Sequence, residues 1–116
     1  MPAPEPIVEV SVRDFAAYLA QAATPPQLID VREPQEVAIA HIENFAVLPL
    51  SQFEQWSPTI HDRFDPTAAT FVLCHHGMRS AQMCYWLRSQ GFSNVKNITG
   101  GIDAYAIAID PTIRQY

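Results

Sequence analysis

The residue types that could do chemistry are concentrated in one stretch of the chain, residues 70–81. Residues 70–73 form a short apolar and β-branched run, which predicts a buried strand. Cys74 ends that run, and five residues later Arg79 and Ser80 open a segment with helical spacing. The thiol is therefore expected beside a helix N-terminus, where backbone N–H groups lack partners and carry partial positive charge. Such a place favours a nucleophilic thiolate with an anionic group bound beside it.

Two other interpretations of this cysteine have to be weighed. A cysteine at a strand end is often an inert, small apolar side chain, although two histidines and an arginine around Gly77 are unusual for a plain strand-to-helix turn. A structural metal site is disfavoured because the chain has 2 Cys and 4 His and no Cys-x-x-Cys pair. The Gly-x-x-x-x-Gly-Lys pattern of phosphate-binding loops is also missing.

The segment 74–80 resembles the active-site loop of rhodanese-like sulfurtransferases, in which a cysteine, four further residues and an arginine are followed by serine. Segment 28–36 is similar to the Asp-Val-Arg-Glu segment of that family. Segment 41–50 is similar to the strand that follows it, and segment 97–105 to the Gly-Gly segment. The four motifs occur in the family's order and extend over most of the chain, so the resemblance is specific.

The resemblance implies a three-layer α/β/α rhodanese-like fold with a mainly parallel five-stranded sheet. It also implies transfer of sulfane sulfur from a donor to a thiol or cyanide through a persulfide on Cys74, without metal or organic cofactor. The donor would be thiosulfate, a small anion, or a protein persulfide. The residues that would bind the substrate around Cys74 are His75, His76, Gly77, Met78, Arg79 and Ser80.

Spacing along the chain agrees with alternating strands and helices, which indicate βαβ units and a parallel sheet. Strands are expected over 7–10, 27–31, 46–49, 70–73 and 94–98, and helices over 12–22, from Glu33, over 51–56, 79–90 and 102–108. Asp30 and Arg32 are expected to form an ion pair that anchors the loop after the second strand. His41 is expected to be packed, and Asn44 can take a left-handed turn conformation.

Composition limits the classes of partner and compartment. A length of 116 residues predicts one domain, here 7–109, with a flexible segment 1–6 before it and a tail 110–116 after it. The net charge of −5, with a single lysine, argues against nucleic acid or an anionic membrane as partner. No apolar run approaches the length of a membrane span, and the N-terminus does not resemble a signal peptide. We therefore expect a cytoplasmic protein.

Two functional alternatives remain open. A related cysteine-dependent phosphatase is less favoured, because the phosphatases that resemble this fold carry one more residue between the cysteine and the arginine. A low-turnover sulfur carrier or interaction module in a sulfur relay is the second. The tail 110–116 resembles the ends of rhodanese-like modules attached to activators of ubiquitin-like sulfur carriers, which points to such a system as partner.

The second cysteine, Cys84, is expected to be a core thiol and not a resolving cysteine. It lies at least one full turn inside the predicted helix, which places its Cα beyond about 7 Å from that of Cys74. The two histidines also bear on the donor. Thiosulfate-using members of the family tend to carry permanently charged residues after the cysteine, whereas His75 and His76 are only partly charged near neutral pH.

Overall fold

The computed structural model describes residues 5–116 and contains one five-stranded sheet, in which every pair of neighbouring strands is parallel. The strand order is β1-β5-β4-β2-β3. The strands are β1 (Val8–Val10), β2 (Gln27–Asp30), β3 (Ala46–Val47), β4 (Thr70–Leu73) and β5 (Val95–Ile98). The predicted parallel α/β sheet is confirmed, while most of the predicted flexible segment 1–6 lies outside the described residues.

Five helices lie at the positions predicted above, with ends that differ by one or two residues, and a further short helix lies between the third of them and β4. They are α1 (Val12–Gln21), α2 (Pro34–Ile39), α3 (Phe53–Trp56), α4 (Ile60–Arg63), α5 (Met78–Ser89) and α6 (Gly101–Ala108), with 3₁₀ turns at Leu50–Gln52 and Ser57–Thr59. None of the helices in residues 5–116 has the length and apolar character that crossing a membrane would require.

The third strand is shorter than the expected 46–49. Leu48 still donates its N–H to the carbonyl of Asp30 at 2.8 Å. Pro49 follows, and because proline has no N–H it cannot extend the ladder. The chain leaves the sheet there and enters the 3₁₀ turn that begins at Leu50.

Strand β4 is buried along its whole length, because helices cover both faces of the sheet. Its side chains alternate between two hydrophobic cores. Phe71 and Leu73 pack on the side of α1 and α6, whereas Val72 packs on the side of α3, α4 and α5. Cys74 continues this alternation, and its side chain packs in the same core as Val72, on the side of α3, α4 and α5. The sheet therefore directs Cys74 toward the helix that follows it.

The loop after β2 is held by the ion pair that the sequence predicted. The Asp30 carboxylate accepts the Arg32 guanidinium, with an Nη2–Oδ2 distance of 2.8 Å, and both side chains are fully buried. Glu33 and Glu36 then form a capping box at the start of α2, in which each side chain accepts a backbone N–H of the other. These contacts fix the direction in which the side chain of Glu36 extends from α2.

Two expectations for the segment after α2 have different outcomes. Asn44 has a φ of 73°, so the predicted left-handed conformation is confirmed. The prediction that His41 is packed is wrong, because its side chain is 53% exposed and pairs with Glu43 at 3.0 Å. Ala40, immediately before it, takes the buried position in the core.

Candidate active site

Cys74 lies directly after the carboxyl end of β4, the middle strand of the sheet. Its carbonyl oxygen accepts the N–H of Ile102 at 2.9 Å, and the carbonyl of His75 accepts the N–H of Asp103 at 3.2 Å. The first turn of α6 thus braces the loop 74–77. Ligands of parallel α/β sheets bind at this edge, beyond the carboxyl ends of the strands.

The thiol of Cys74 lies beside a backbone N–H of the loop and a hydroxyl of α5. The N–H of Gly77 donates to Sγ at 3.0 Å, and the hydroxyl of Ser80 lies 3.2 Å from Sγ. Gly77 makes its hydrogen bond to Sγ possible with a φ of +102°, a backbone conformation that residues other than glycine rarely adopt. The Gly77 N–H is placed to stabilise negative charge on the sulfur, and the Ser80 hydroxyl is within reach to donate when the sulfur is anionic.

Ser80 does not cap α5, because the N-cap position is occupied by Gly77. Its hydroxyl lies 3.2 Å from Cys74 Sγ and 2.5 Å from Asn97 Oδ1, so its one proton can be donated to only one of them at a time. The side-chain amide of Asn97 in turn donates to the carbonyl of Gly77 at 3.0 Å and to Glu9 at 3.2 Å. Asn97 therefore ties β5 to both the loop and α5.

The thiol lies at the base of an open pocket of about 260 Å³. Cys74 is only 1% exposed and Met78, at the rim, is 79% exposed. The first intrahelical bond of α5 is donated by Ala81 to Gly77, so the N–H groups of the three residues before Ala81 precede the helical ladder. The residues that line the pocket are Cys74, His75, His76, Met78 and Arg79.

Arg79 is engaged by Glu36 and is not a free cation at the pocket. Both Glu36 carboxylate oxygens accept from the guanidinium, at 2.7 and 2.8 Å. Hydrogen bonding to Arg79 lowers the pKa of Glu36 to about 2, and the same pairing raises the pKa of Arg79. The ion pair is therefore fully charged at every physiological pH. Since Arg32 is paired with Asp30, both arginines near the loop are neutralised.

His75 is the middle ring of a stacked column with His76 and Tyr116. The His75 centroid is 3.9 Å from that of His76 and 3.9 Å from that of Tyr116, with interplanar angles of 28° and 9°. Burial, followed by the nearby charge of His76, lowers the pKa of His75. His76 is 61% exposed and lies 3.7 Å from the carboxylate of Asp103.

His75, His76 and Asp103 each offer a ligand atom, and these atoms lie within 4.8 Å of one another. The stacking makes this cluster poorly suited to a metal ion, because nearly parallel imidazoles do not direct their nitrogen lone pairs at one point. We therefore interpret the cluster as part of the wall of the pocket.

Cys84 is a buried core thiol, as the sequence predicted. It is fully buried on α5, one turn after Ser80. Burial raises its pKa to about 12, so it stays protonated and is a poor nucleophile. Both cysteines are free.

Four residues that contact the loop or its supports were not among the candidates from sequence. Glu36 lies within segment 28–36, and its spacing of three residues from Glu33, typical of a capping box, is the signal in the sequence. Asn97 and Asp103 lie within segment 97–105, in which the sequence gives neither of them a role of its own. Tyr116, in the expected tail, carried no local signal, because its contacts are with residues about 40 to 84 positions away.

The chain is similar to known proteins in both sequence and fold. A family model described as a rhodanese-like domain matches residues 11–108. The chain belongs to the rhodanese-like domain family. The fold agrees, because this rhodanese-like domain superposes with a TM-score of 0.76 on the crystal structure of a rhodanese-like domain protein from Staphylococcus aureus. The two share 23% identity over 95% of this chain and 99% of the other.

Curated relatives are longer proteins. The domain is 46% identical over 97% of its length to a rhodanese-like/PpiC domain-containing protein 12, chloroplastic, from Arabidopsis thaliana, and covers 38% of that protein. It is 34% identical over 84% of its length to the adenylyltransferase and sulfurtransferase MOCS3-2 of Zea mays, of which it covers 21%. The chain thus spans well under half of these relatives. The chloroplastic name also leaves the expected cytoplasmic location without support.

Proposed function

We propose that this rhodanese-like domain is a sulfurtransferase in which Cys74 carries sulfane sulfur as a persulfide. The observation that carries the proposal is the hydrogen bond from the Gly77 N–H to Sγ at 3.0 Å at the N-terminal end of α5, with the Ser80 hydroxyl 3.2 Å from the same sulfur. Hydrogen-bond donors and the helix dipole stabilise an anionic sulfur, whether thiolate or persulfide.

The reaction has two steps. The Cys74 thiolate attacks the outer sulfur of a donor, a sulfur–sulfur bond forms on the protein, and the bond within the donor breaks, so that thiosulfate would leave as sulfite. An acceptor thiolate or cyanide then attacks the outer persulfide sulfur, takes it, and returns Cys74 to the thiolate. No electron is gained or lost overall by the protein, and the pattern is ping-pong nucleophilic catalysis.

We further propose a protein persulfide in preference to thiosulfate as the physiological donor. Thiosulfate is a dianion, and its capture rises with positive charge near the nucleophile. Glu36 neutralises Arg79, Asp30 neutralises Arg32, and the chain has a net charge of −5. The names of relatives such as MOCS3-2 join sulfur transfer to adenylyltransfer. They support a sulfur relay that serves a ubiquitin-like sulfur carrier as the setting.

Intact mass spectrometry tests the proposal. The protein is incubated with thiosulfate, or with a cysteine desulfurase and cysteine, and Cys74→Ser serves as control. We expect a gain of one sulfur on the Cys74 peptide, lost again on adding cyanide or a thiol. Wild-type protein that gains no sulfur from either donor would refute the proposal.

The low-turnover carrier is a second candidate, favoured by the nearly complete burial of Cys74. It predicts that the persulfide forms in one equivalent but that repeated turnover with cyanide is slow. A phosphatase is disfavoured by the paired state of Arg79, since such an enzyme needs that guanidinium at the phosphate.

A further inference from the structure

Tyr116 is fixed over the candidate site by contacts at both ends of its side chain. Its ring stacks on His75 at 3.9 Å and 9°. Its hydroxyl accepts from Arg32 at 3.0 Å and donates to Glu36 at 3.1 Å. Arg32 is itself immobilised by the buried pair with Asp30. The position of the ring is therefore determined by the body of the domain.

This ring affects which protonation state of His75 is stable. Nε2 of His75 is buried and has no hydrogen-bond partner among the described residues. An imidazolium carries an N–H at both nitrogens, and burying one without an acceptor is costly. The Tyr116 ring covers one face of His75 and the His76 ring covers the other. The lack of an acceptor at Nε2 and the shielding of both ring faces from water each favour the uncharged imidazole.

The titratable and charged groups around His75 come from every element packed near it. They are Cys74 and His76 in the loop, Glu36 of α2 with its partner Arg79 of α5, Asp103 of α6, and Tyr116 with its partner Arg32. Asp103 and Glu36 favour the charged form of His75, and so does a backbone group of Tyr116. Burial and the charge of His76 outweigh them.

We propose that Tyr116 is a specificity-determining residue of the site, which keeps His75 as an uncharged ring and thereby disfavours small anionic donors relative to uncharged or protein-borne ones. This role rests on the proposed function, because the site selects among sulfur donors only if Cys74 transfers sulfur. Tyr116 acts through His75 and does not touch the reacting sulfur, so it is a positioning residue.

The test compares Tyr116→Ala with Tyr116→Phe in a Cys84→Ser background, so that Cys74 is the only thiol. The rate constants for alkylation by iodoacetate, an anion, and by iodoacetamide, which is uncharged, are measured at pH 6. The ratio of the two removes any general change in thiol reactivity. The imidazole resonances of His75 are followed by NMR as the pH is varied, which gives the His75 titration in each variant.

We expect Tyr116→Ala to raise the iodoacetate-to-iodoacetamide ratio about two- to threefold, the effect of a partly protonated imidazole several ångströms from the sulfur in a largely aqueous pocket. The His75 titration should move to higher pH. Tyr116→Phe retains the stacked ring and should retain the wild-type ratio. Tyr85→Ala, which removes a tyrosine that is 43% exposed on α5, should also leave the ratio unchanged.

An unchanged ratio and an unchanged His75 titration in Tyr116→Ala would overturn the inference. If Tyr116→Ala does not fold, Tyr116→Leu keeps an apolar side chain without the stacking ring and is measured in the same way. Neither measurement depends on sulfur transfer. A wild-type protein that takes up no sulfur would therefore refute the proposed function, while the ratio and the titration would still decide the role of Tyr116.

Discussion

Gly101 packs so closely against the carbonyl oxygen of Cys74 that no Cβ fits between them. The carbonyl of His75 is equally close, and Gly101 has a φ of +62°. Both constraints follow from the first turn of α6, which donates its N–H groups to these carbonyls. The glycine is what allows α6 to brace the candidate active-site loop.

Gly101→Ala should therefore displace the loop 74–77. We expect a loss of about 2–4 kcal/mol in the free energy of unfolding, from overpacking and from the positive φ. Sulfur uptake by Cys74 should fall at least about tenfold, because a shift of about 1 Å in a reacting group has large effects on rate. Denaturant unfolding and intact mass measure the two effects.

Gly91→Ala is the matched control. Gly91 also has a positive φ, of 92°, but a Cβ there would meet nothing within 4 Å. This variant should lose only about 1 kcal/mol of stability from backbone strain and keep its sulfur uptake. Equal losses of sulfur uptake in the two variants would show that strain, and not the contact with Cys74, matters.

Removal of the Ser80 hydroxyl should slow reaction at Cys74. Ser80→Ala deletes the hydroxyl that lies 3.2 Å from Sγ and leaves Asn97 Oδ1 without its donor. We expect about a tenfold lower rate of sulfur uptake and a loss of about 1–2 kcal/mol of stability. Ser89→Ala, at the exposed end of the same helix, is the control and should change neither. An unaltered rate in Ser80→Ala would remove Ser80 from the site.

The Glu36–Arg79 pair predicts a pH-dependent contribution to stability. The pKa of Glu36 is about 2 in the folded protein, below its ordinary value of 4.5, chiefly because of Arg79. The contribution is thus present above pH 4.5 and is lost as the pH falls toward 2. Allowing for a guanidinium that is 35% exposed, we expect about 1–2 kcal/mol.

Glu36→Gln should abolish that contribution. The difference in unfolding free energy between wild type and variant should be largest near neutral pH and vanish near pH 2. Glu54→Gln, on the exposed side of α3, controls for the loss of one carboxylate. A difference that does not depend on pH would contradict the assignment of the low pKa to this pair.

The two cysteines should behave differently when each is replaced by serine. Cys74→Ser should abolish sulfur uptake, whereas Cys84→Ser should retain it, since the raised pKa of Cys84 keeps that thiol protonated. Both side chains are buried in the core on the α5 side, so each variant should lose about 1–2 kcal/mol of stability. A folded Cys84→Ser protein without sulfur uptake would make Cys84 a resolving cysteine.

A fixed positive charge at the rim should improve thiosulfate binding. His76→Arg places a guanidinium where the exposed imidazole lies, and the KM for thiosulfate at pH 8 should fall about threefold. His61→Arg adds the same charge on α4, away from the loop, and should leave KM unchanged. An unaltered KM in His76→Arg would make pocket shape, and not charge, the reason for weak thiosulfate use.

The order of elements and the loop could be predicted because their signals are local. The apolar run 70–73, the ion pair of Asp30 with Arg32 and the left-handed Asn44 are each encoded by neighbouring residues. The partners of the loop were not predictable in this way. The packing of β5 places Asn97 within reach of the Ser80 hydroxyl, although the two residues are 17 positions apart.

Arg79 illustrates the same limit. Its position after the cysteine indicated a cation at the pocket, but the carboxylate that neutralises it lies 43 residues earlier. Tyr116 is separated even further along the chain from the residues that hold it, by 80 residues from Glu36 and by 84 residues from Arg32. Local spacing indicates which residues can react, whereas the contacts that adjust their charge depend on the assembled sheet.

The pairing of β1 with β5 also sets when the site can first exist. Val10 is paired with Ile98, and its carbonyl accepts the N–H of Thr99 at 2.8 Å. During synthesis, β1 has no neighbour until residues 95–98 have emerged, and the loop at Cys74 lacks its brace until Gly101 follows them. Closing contacts between distant segments is slow compared with forming local ones. In a nascent chain the loop therefore gains its brace, and the thiol its full burial, only after the last strand and the start of α6 have joined the sheet.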